Sequence, residues 1–286
     1  MKILVTGVKG QLGYDVVNEL TRRGHTPVGV DIEELDITDG AACEALLTQV
    51  QPDAVIHCAA WTAVDAAEDE ENIPKVRAVN AEGTRNLAKV CKALDCKMLY
   101  ISTDYVFDGQ GTEPWQADST AFGPLSVYGQ TKLEGENAVR ELLEKYFIVR
   151  IAWVFGLNGK NFVKTMLGVG QKYDTVRVVN DQIGTPTYTF DLARLLVDMI
   201  ETDKYGTYHA TNEGGFISWY DFTCEIFRQA GYTTNVVPVT TAEYGISKAA
   251  RPFNSRLDKS KLVTAGFQPL PTWQDALARY LEELKK

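Results

Sequence analysis

The 286-residue sequence predicts an α/β protein, a doubly wound parallel sheet with a smaller C-terminal α/β domain behind it. Three observations predict it. The first half alternates strand-length apolar runs with amphipathic helical stretches, a glycine-rich turn joins the first run to the first helix, and the alternation loosens after residue 151.

Lys2–Thr6 is the first apolar run, and Leu12–Arg23 is an amphipathic helix closed by Gly24, the residue that most often ends a helix. Thr26–Val30 is the second strand. A helix over Ala41–Val50 leads through Pro52 to the strand Ala54–Cys58, and a helix over Lys75–Leu94 leads to the strand Lys97–Ser102. A loop with Gly109, Gly111 and Pro114 precedes a helix over Ser126–Lys145 and the strand Phe147–Ile151. Such strand–helix–strand units imply parallel strands with helices on both faces. Beyond residue 151, Gly156, Gly159, Gly168, Gly170, Gly184 and Pro186 cut the chain into short elements. The sequence therefore reads as a dinucleotide-binding Rossmann domain over 1–151, rejoined by about 187–211, and a mainly substrate-binding domain over 152–286. Phe190–Glu201 is a helix and Gly206–Thr211 a strand returning to the first sheet.

The composition, 45% hydrophobic and 23% charged, is that of an ordinary soluble enzyme. A net charge of −9 argues against a nucleic-acid or anionic-membrane partner, and no apolar stretch approaches the roughly 20 residues of a bilayer span. The amino terminus lacks the longer apolar core of a signal peptide, so a cytoplasmic location is expected. The five cysteines include no CxxC pair, which fits a reducing compartment without structural zinc. His25, His57 and His209 lack metal-ligand spacing and read as structural, so no metal site is assigned; a bound divalent ion is left open.

Gly7-Val8-Lys9-Gly10-Gln11-Leu12-Gly13 is a GxxGxxG turn between strand and helix. Glycines there permit a tight turn, close approach of backbone to a pyrophosphate and close helix packing, while the helix N-terminus offers N–H groups to the phosphates. Asp31 closes the second strand, where a carboxylate can bind adenosine ribose hydroxyls and repel a 2′-phosphate. With Ile32-Glu33-Glu34 following and only Lys9 nearby as a cation, the residues favour NADH over NADPH.

Tyr128-Gly-Gln-Thr-Lys132 puts a phenol and an ammonium on one helix face. A free phenol has a pKa near 10, and exchange of its proton near neutrality is expected to draw on a downward shift from Lys132 and an oxidised nicotinamide. A second copy, Tyr244-Gly-Ile-Ser-Lys248, lacks a preceding strand and reads as structural or peripheral. Thr103, after the strand Lys97–Ser102, supplies a hydroxyl expected to bind a carbonyl beside Tyr128.

Together with His57-Cys58-Ala59-Ala60 and Asn80-Ala-Glu-Gly83-Thr84-Arg85-Asn86-Leu87, these residues resemble the extended short-chain dehydrogenase/reductase superfamily. Within it the chain is most similar to the dTDP-4-dehydrorhamnose reductases. The resemblance rests on Gly10-Gln11-Leu12-Gly13, Ala60-Trp61-Thr62-Ala63-Val64-Asp65, Ser102-Thr103-Asp104-Tyr105-Val106-Phe107, Asn180-Asp181-Gln182 with Gly184 and Pro186-Thr187, and Arg251-Pro252 with Asn254-Ser255-Arg256-Leu257. It implies hydride transfer from NADH or NADPH to C4 of a dTDP-linked 4-keto-6-deoxy sugar, with Tyr128 protonating the alkoxide, Lys132 holding the nicotinamide ribose and Thr103 orienting the carbonyl. It places Gly7, Gly10, Gln11, Leu12, Gly13, Asp31, Asp36, Ile37, Ala59, Ala60, Trp61 and Thr62 around the cofactor. Asp104 and Trp153 would border the sugar, and Arg251 and Arg256 would grip the diphosphate. The implied partner is a small nucleotide-sugar, and a homodimer is compatible with the resemblance. Two rivals remain at this level. A dehydratase or epimerase of the same fold is disfavoured because Tyr105, not a second acid, follows Asp104; a non-catalytic subunit like that regulating methionine adenosyltransferase would show no turnover.

Overall fold

A computed structural model describes residues 1–245 and 247–286. The elements run β1 (Lys2–Thr6), α1 (Gln11–Arg22), β2 (Thr26–Val30), α2 (Gly40–Val50), β3 (Ala54–His57), α3 (Ile73–Arg77), α4 (Thr84–Ala93), β4 (Lys97–Thr103), α5 (Val127–Leu142) and β5 (Tyr146–Ile151). They continue as β6 (Val154–Phe155), α6 (Phe162–Gly170), β7 (Thr175–Val179), β8 (Ile183–Gly184), β9 (Thr187–Tyr188), α7 (Thr189–Ile200), β10 (Gly206–His209), β11 (Ile217–Ser218), α8 (Trp219–Ala230), β12 (Asn235–Val239), α9 (Thr241–Tyr244), α10 (Ser260–Thr264) and α11 (Trp273–Glu283).

Six of the strands form one sheet in the order β10-β5-β4-β3-β1-β2, and every neighbouring pair is parallel. The alternation of the apolar runs is the cause. Along β1, Ile3 and Val5 face a core shared with α1 and α7, while Leu4 faces a second core shared with α2, α4 and α5. Each face of the sheet is thereby buried under helices, as the sequence predicts for a doubly wound fold. The chain reverses its direction of travel between β1 and β3, and the crevice at their carboxyl ends is where such sheets receive ligands.

The second half contributes three two-stranded pairs, β6 with β9, β7 with β12 and β8 with β11, around a separate core of Phe155, Tyr188, Phe222 and Tyr280. The predicted helix from Ser126 stops at Leu142, before Lys145, because the chain turns extended at Leu143. The predicted helix over Lys75–Leu94 begins earlier, at Ile73 with Pro74 in its first turn, and carries a π-helical turn over Ala78–Gly83.

Helix α5 is anchored from beneath. Arg150 of β5, fully buried, donates from Nε to Glu136 Oε1 and from Nη2 to Glu136 Oε2, both at 2.8 Å. Arg140 donates to the same carboxylate at 2.6 Å, and Glu136 is held below the usual carboxylate range despite its burial. Removing one member of a buried pair leaves the other uncompensated. Arg150→Met is therefore expected to destabilise the protein by about 3 kcal/mol, the low end of the usual range because Arg140 remains; urea unfolding checks it.

Candidate active site

The cofactor side of the site is shaped by backbone that comes too close for side chains. Gly7 has φ 70, and a Cβ there would lie 2.8 Å from the Ala59 backbone at the end of β3. A Cβ on Gly13 would overlap the Gly7 carbonyl oxygen. These two glycines let β1, β3 and α1 converge at one point. The N-cap of α1 is Gly10, which supplies no side-chain cap, so the first-turn N–H groups are left for a ligand.

Above this point lies a cleft of about 970 Å³. Gly7, Gly10, Gln11, Leu12 and Gly13 line its floor, Asp31, Asp36 and Ile37 one flank, and Ala59, Ala60, Trp61 and Thr62 the other. The structure thus brings together all the residues expected around a dinucleotide. Their chemistry fits the group: open N–H donors and glycine backbone for a pyrophosphate, carboxylates for a ribose. Asp31 Oδ2 accepts from the Lys9 N–H and Oδ1 from the Ile32 N–H, each at 2.9 Å. Lys9 itself, the one cation the sequence offered beside Asp31, donates to Glu33 at 2.6 Å, both side chains exposed. Sequence reasoning missed Lys75 and Lys160, which also line the cleft. Lys160 follows Gly156 and Gly159, a loop signal with no chemical signature, and Asn158 pins that loop to the glycine turn by donating to the Lys9 carbonyl at 2.6 Å.

At the inner end of the cleft Thr103, Asp104, Tyr128 and Lys132 come together. Ser126 caps α5 by accepting from the Gly129 N–H at 3.1 Å, so Tyr128 enters in the first turn and Lys132 follows one turn later. Asn80, in the π-helical turn, accepts from the Trp61 N–H at 2.8 Å and donates to Thr131 at 3.1 Å, joining the cofactor flank to α5. Lys132 Nζ donates to the Ile101 carbonyl at 2.7 Å and lies 4.1 Å from the centre of the Tyr100 ring. Burial pulls its pKa down to about 7.

The phenol of Tyr128 stands at the inner end of the cleft. It touches the cleft but is crowded on its other sides, and this desolvation, with the nearby Asp104 carboxylate, pushes its pKa well above 10; the Thr103 hydroxyl opposes the shift. The Lys132 ammonium is directed to the Ile101 carbonyl and the Tyr100 ring. Thr103 lies beside Tyr128 in the cleft. Its Oγ1 donates to Asp104 Oδ1 at 2.9 Å and accepts from the Tyr105 N–H at 3.2 Å. Asp104 is buried, Oδ2 finds no hydrogen-bond partner, and burial raises its pKa to about 6.

Trp153, at φ 52 in the left-handed region, and Tyr105 border both the cleft and a second cavity of about 340 Å³. Trp153 is half-buried. Its indole stacks on Trp219 at 3.7 Å between ring centres. Arg251 lies in the second cavity, donating to Asp65 at 2.6 Å and to the Tyr105 hydroxyl at 3.1 Å. Arg256 is the one expected site residue that lines neither cavity; it donates to Asn254 Oδ1 at 3.0 Å. Tyr244 borders the second cavity, while Lys248 pairs with Asp69 beyond the end of the four-residue α9. That copy of the Tyr–Lys spacing therefore does not share a helix face. Among the described residues no group of three or more His, Cys, Asp or Glu is placed to hold a metal, and no helix is long and apolar enough to cross a membrane.

A glycine turn at the switch point of a parallel sheet, feeding a tyrosine–lysine pair, defines the NAD(P)H-dependent oxidoreductases of the extended short-chain class. The profile of the family described as RmlD substrate binding domain matches residues 1–286. A dTDP-4-dehydrorhamnose reductase of Streptomyces griseus is 44% identical over 280 residues, covering 96% of this chain and 91% of the relative. The crystal structure of a dTDP-4-dehydrorhamnose reductase from Clostridium acetobutylicum superposes with a TM-score of 0.96 at 42% identity over 100% of both chains. That of a Bacillus anthracis counterpart in complex with NADP gives 0.94 at 40% identity over 99% of each. The chain belongs to the dTDP-4-dehydrorhamnose reductase family.

Lys132 makes a pH test available. Its pKa is about 7 in the folded protein and near 10.5 when unfolded, so between these values the unfolded chain binds more protons. Unfolding free energy should gain a rising contribution from pH 7 towards 10.5. Lys132→Met is expected to lack that rise, read as the difference between the two proteins' urea midpoints across the window.

Proposed function

We propose that the chain reduces the C4 ketone of dTDP-4-dehydro-6-deoxy-L-mannose, giving dTDP-L-rhamnose for cell-surface polysaccharide. The observation that carries this reading is the convergence of Tyr128, Lys132 and Thr103 at the inner end of a dinucleotide cleft that shares Tyr105 and Trp153 with a second cavity holding Arg251. A bound reduced nicotinamide supplies the hydride. Tyr128, protonated at neutral pH, gives its Oη proton to the forming alkoxide, a much stronger base than a phenolate.

Lys132 is suited to bind the nicotinamide ribose and to stabilise the phenolate that remains. Trp153 packs against the sugar, and Arg251, fixed by Asp65 and Tyr105, turns its remaining N–H groups to the diphosphate. Arg256 has no part in this reading. Five cysteines without a disulfide support a reducing, cytoplasmic setting.

For the cofactor we favour NADH. Asp31 borders the cleft beside Glu33 and Glu34, and Lys9 is engaged by Glu33. Asp31→Asn, which keeps an acceptor for the Lys9 and Ile32 N–H groups, is expected to raise kcat/KM for NADPH relative to NADH by about tenfold, roughly 1.4 kcal/mol. Steady-state kinetics with both cofactors check this. Tyr128→Phe is expected to bind NADH as before while losing about 10²- to 10⁴-fold in turnover of the dTDP-keto-sugar. Unchanged turnover would remove Tyr128 from the chemistry.

A further inference from the structure

A dinucleotide entering the cleft meets like charge. Asp31, Asp36 and Asp104 line it, the chain bears a net charge of −9, and a pyrophosphate brings further negative charge. The glycine turn answers with neutral N–H groups alone. Three lysines line the cleft, Lys75, Lys132 and Lys160. Lys132 Nζ is turned to the Ile101 carbonyl at 2.7 Å, and Lys75 lies 5.8 Å from the centre of the Trp61 ring on the flank. Lys160 is exposed, and its ammonium is committed to no acceptor among the described residues.

Lys160 stands in the loop 156–161 between β6 and α6, and so comes from the second half of the chain. Residues on both sides of it fasten that loop to the glycine turn. Asn158 donates to the Lys9 carbonyl at 2.6 Å, and Asn161 donates to Gln11 Oε1 at 3.0 Å. Lys9 and Gln11 flank Gly10, the N-cap whose helix leaves its first N–H groups for a ligand. Lys160 is therefore bracketed by contacts to the residues that border the pyrophosphate position.

The loop is also held from behind. A Cβ on Gly156 would overlap Thr189 Oγ1 and come within 3.3 Å of Gln11 Cβ. Asn161 donates to the Gly156 carbonyl at 2.8 Å and caps α6 by accepting from the Lys164 N–H at 3.0 Å. Lys164 Nζ is engaged by the carbonyls of Leu157 and Gly159. The backbone that carries Lys160 is thus fixed before a ligand arrives, and only one side chain is left to order on binding.

Resting on the dinucleotide reading of the cleft, we propose that Lys160 is a pyrophosphate ligand: its loop carries the ammonium over the glycine turn, so that the cofactor's phosphates are held by helix N–H groups from one half and a cation from the other. A lysine ammonium is a compact charge with three donors, suited to oxygens of both phosphates. A 2′-phosphate is the less fitting target, because Asp31 and Glu33 hold the strand side of the turn while Asn161 fastens the loop to the helix side.

The test measures Kd by isothermal titration in the purified full-length chain for NADH, NADPH and ADP-ribose, the last carrying the pyrophosphate without the nicotinamide. Lys160→Gln is expected to weaken all three by about tenfold, the scale of one charge-assisted hydrogen bond at an exposed site, and to leave the ratio of NADPH to NADH affinity unchanged. Lys160→Arg, which keeps the charge, should stay within about threefold of the parent. Added KCl should weaken NADH binding to the parent more steeply than to the Gln variant.

Parental Kd values for Lys160→Gln would overturn the proposal. So would a loss confined to NADPH, which places the ammonium at a 2′-phosphate, or a loss for NADH that spares ADP-ribose, which places it at the nicotinamide. An Arg variant as weak as the Gln variant would overturn it too, since charge would not then be what the site requires. A parent chain that binds neither NADH nor ADP-ribose sinks the dinucleotide reading itself; binding by the parent that is indifferent to Lys160 sinks only this inference.

Discussion

The close seating of α5 on β4 is the constraint on which the rest of the site depends. A Cβ on Gly129 would overlap the Tyr105 carbonyl, and one on Gly135 would come within 2.7 Å of the Asn80 carbonyl and against the Tyr100 ring. No larger residue at either position allows this approach. From beneath, the Glu136–Arg150 pair fixes the rotation of the helix, and Asn80 ties its first half to the Trp61 loop. Tyr128 and Lys132 project from the face so presented. Proximity of a few ångströms separates a useful acid from an idle one, so this packing matters to chemistry as much as to stability.

The site also carries a thermodynamic load. Lys132 is buried with a depressed pKa, Asp104 is buried with an unpartnered oxygen, and Trp153 holds a left-handed backbone conformation. Each costs free energy that well-packed apolar residues would not, and each borders the cleft. By contrast the ion pair under α5 is complete and shielded. Strain and desolvation thus collect where a ligand can use them, while both oxygens of Glu136 are hydrogen-bonded beneath.

Much of this was legible in the residues. The period-two alternation of Ile3, Leu4 and Val5 and the helical spacing of Leu12, Val16 and Leu20 dictate sheet and helix directly, and the glycine turn marks the ligand end of β1. What escaped depends on distant contacts. Lys160 reaches the cleft through a loop of the second half, and nothing local distinguishes it from a surface lysine. Arg251 and Arg256 look alike in sequence, yet Asp65 and Tyr105 hold only the first at a cavity. The two Tyr–Lys spacings differ because α9 ends at Tyr244, so only Tyr128 and Lys132 share a helix. The direction of the Tyr128 shift follows from burial and from Asp104 beside it, which spacing does not encode.

The central claim is that hydride is delivered to C4 of the sugar on the face set by this site, with Tyr128 as the proton donor. Its most direct test is reduction of the dTDP-4-keto sugar with NADH deuterated at the transferring position, followed by NMR of the product. The account predicts dTDP-L-rhamnose with one deuterium, located at C4. Product lacking deuterium at C4, or the C4 epimer in place of rhamnose, would contradict it.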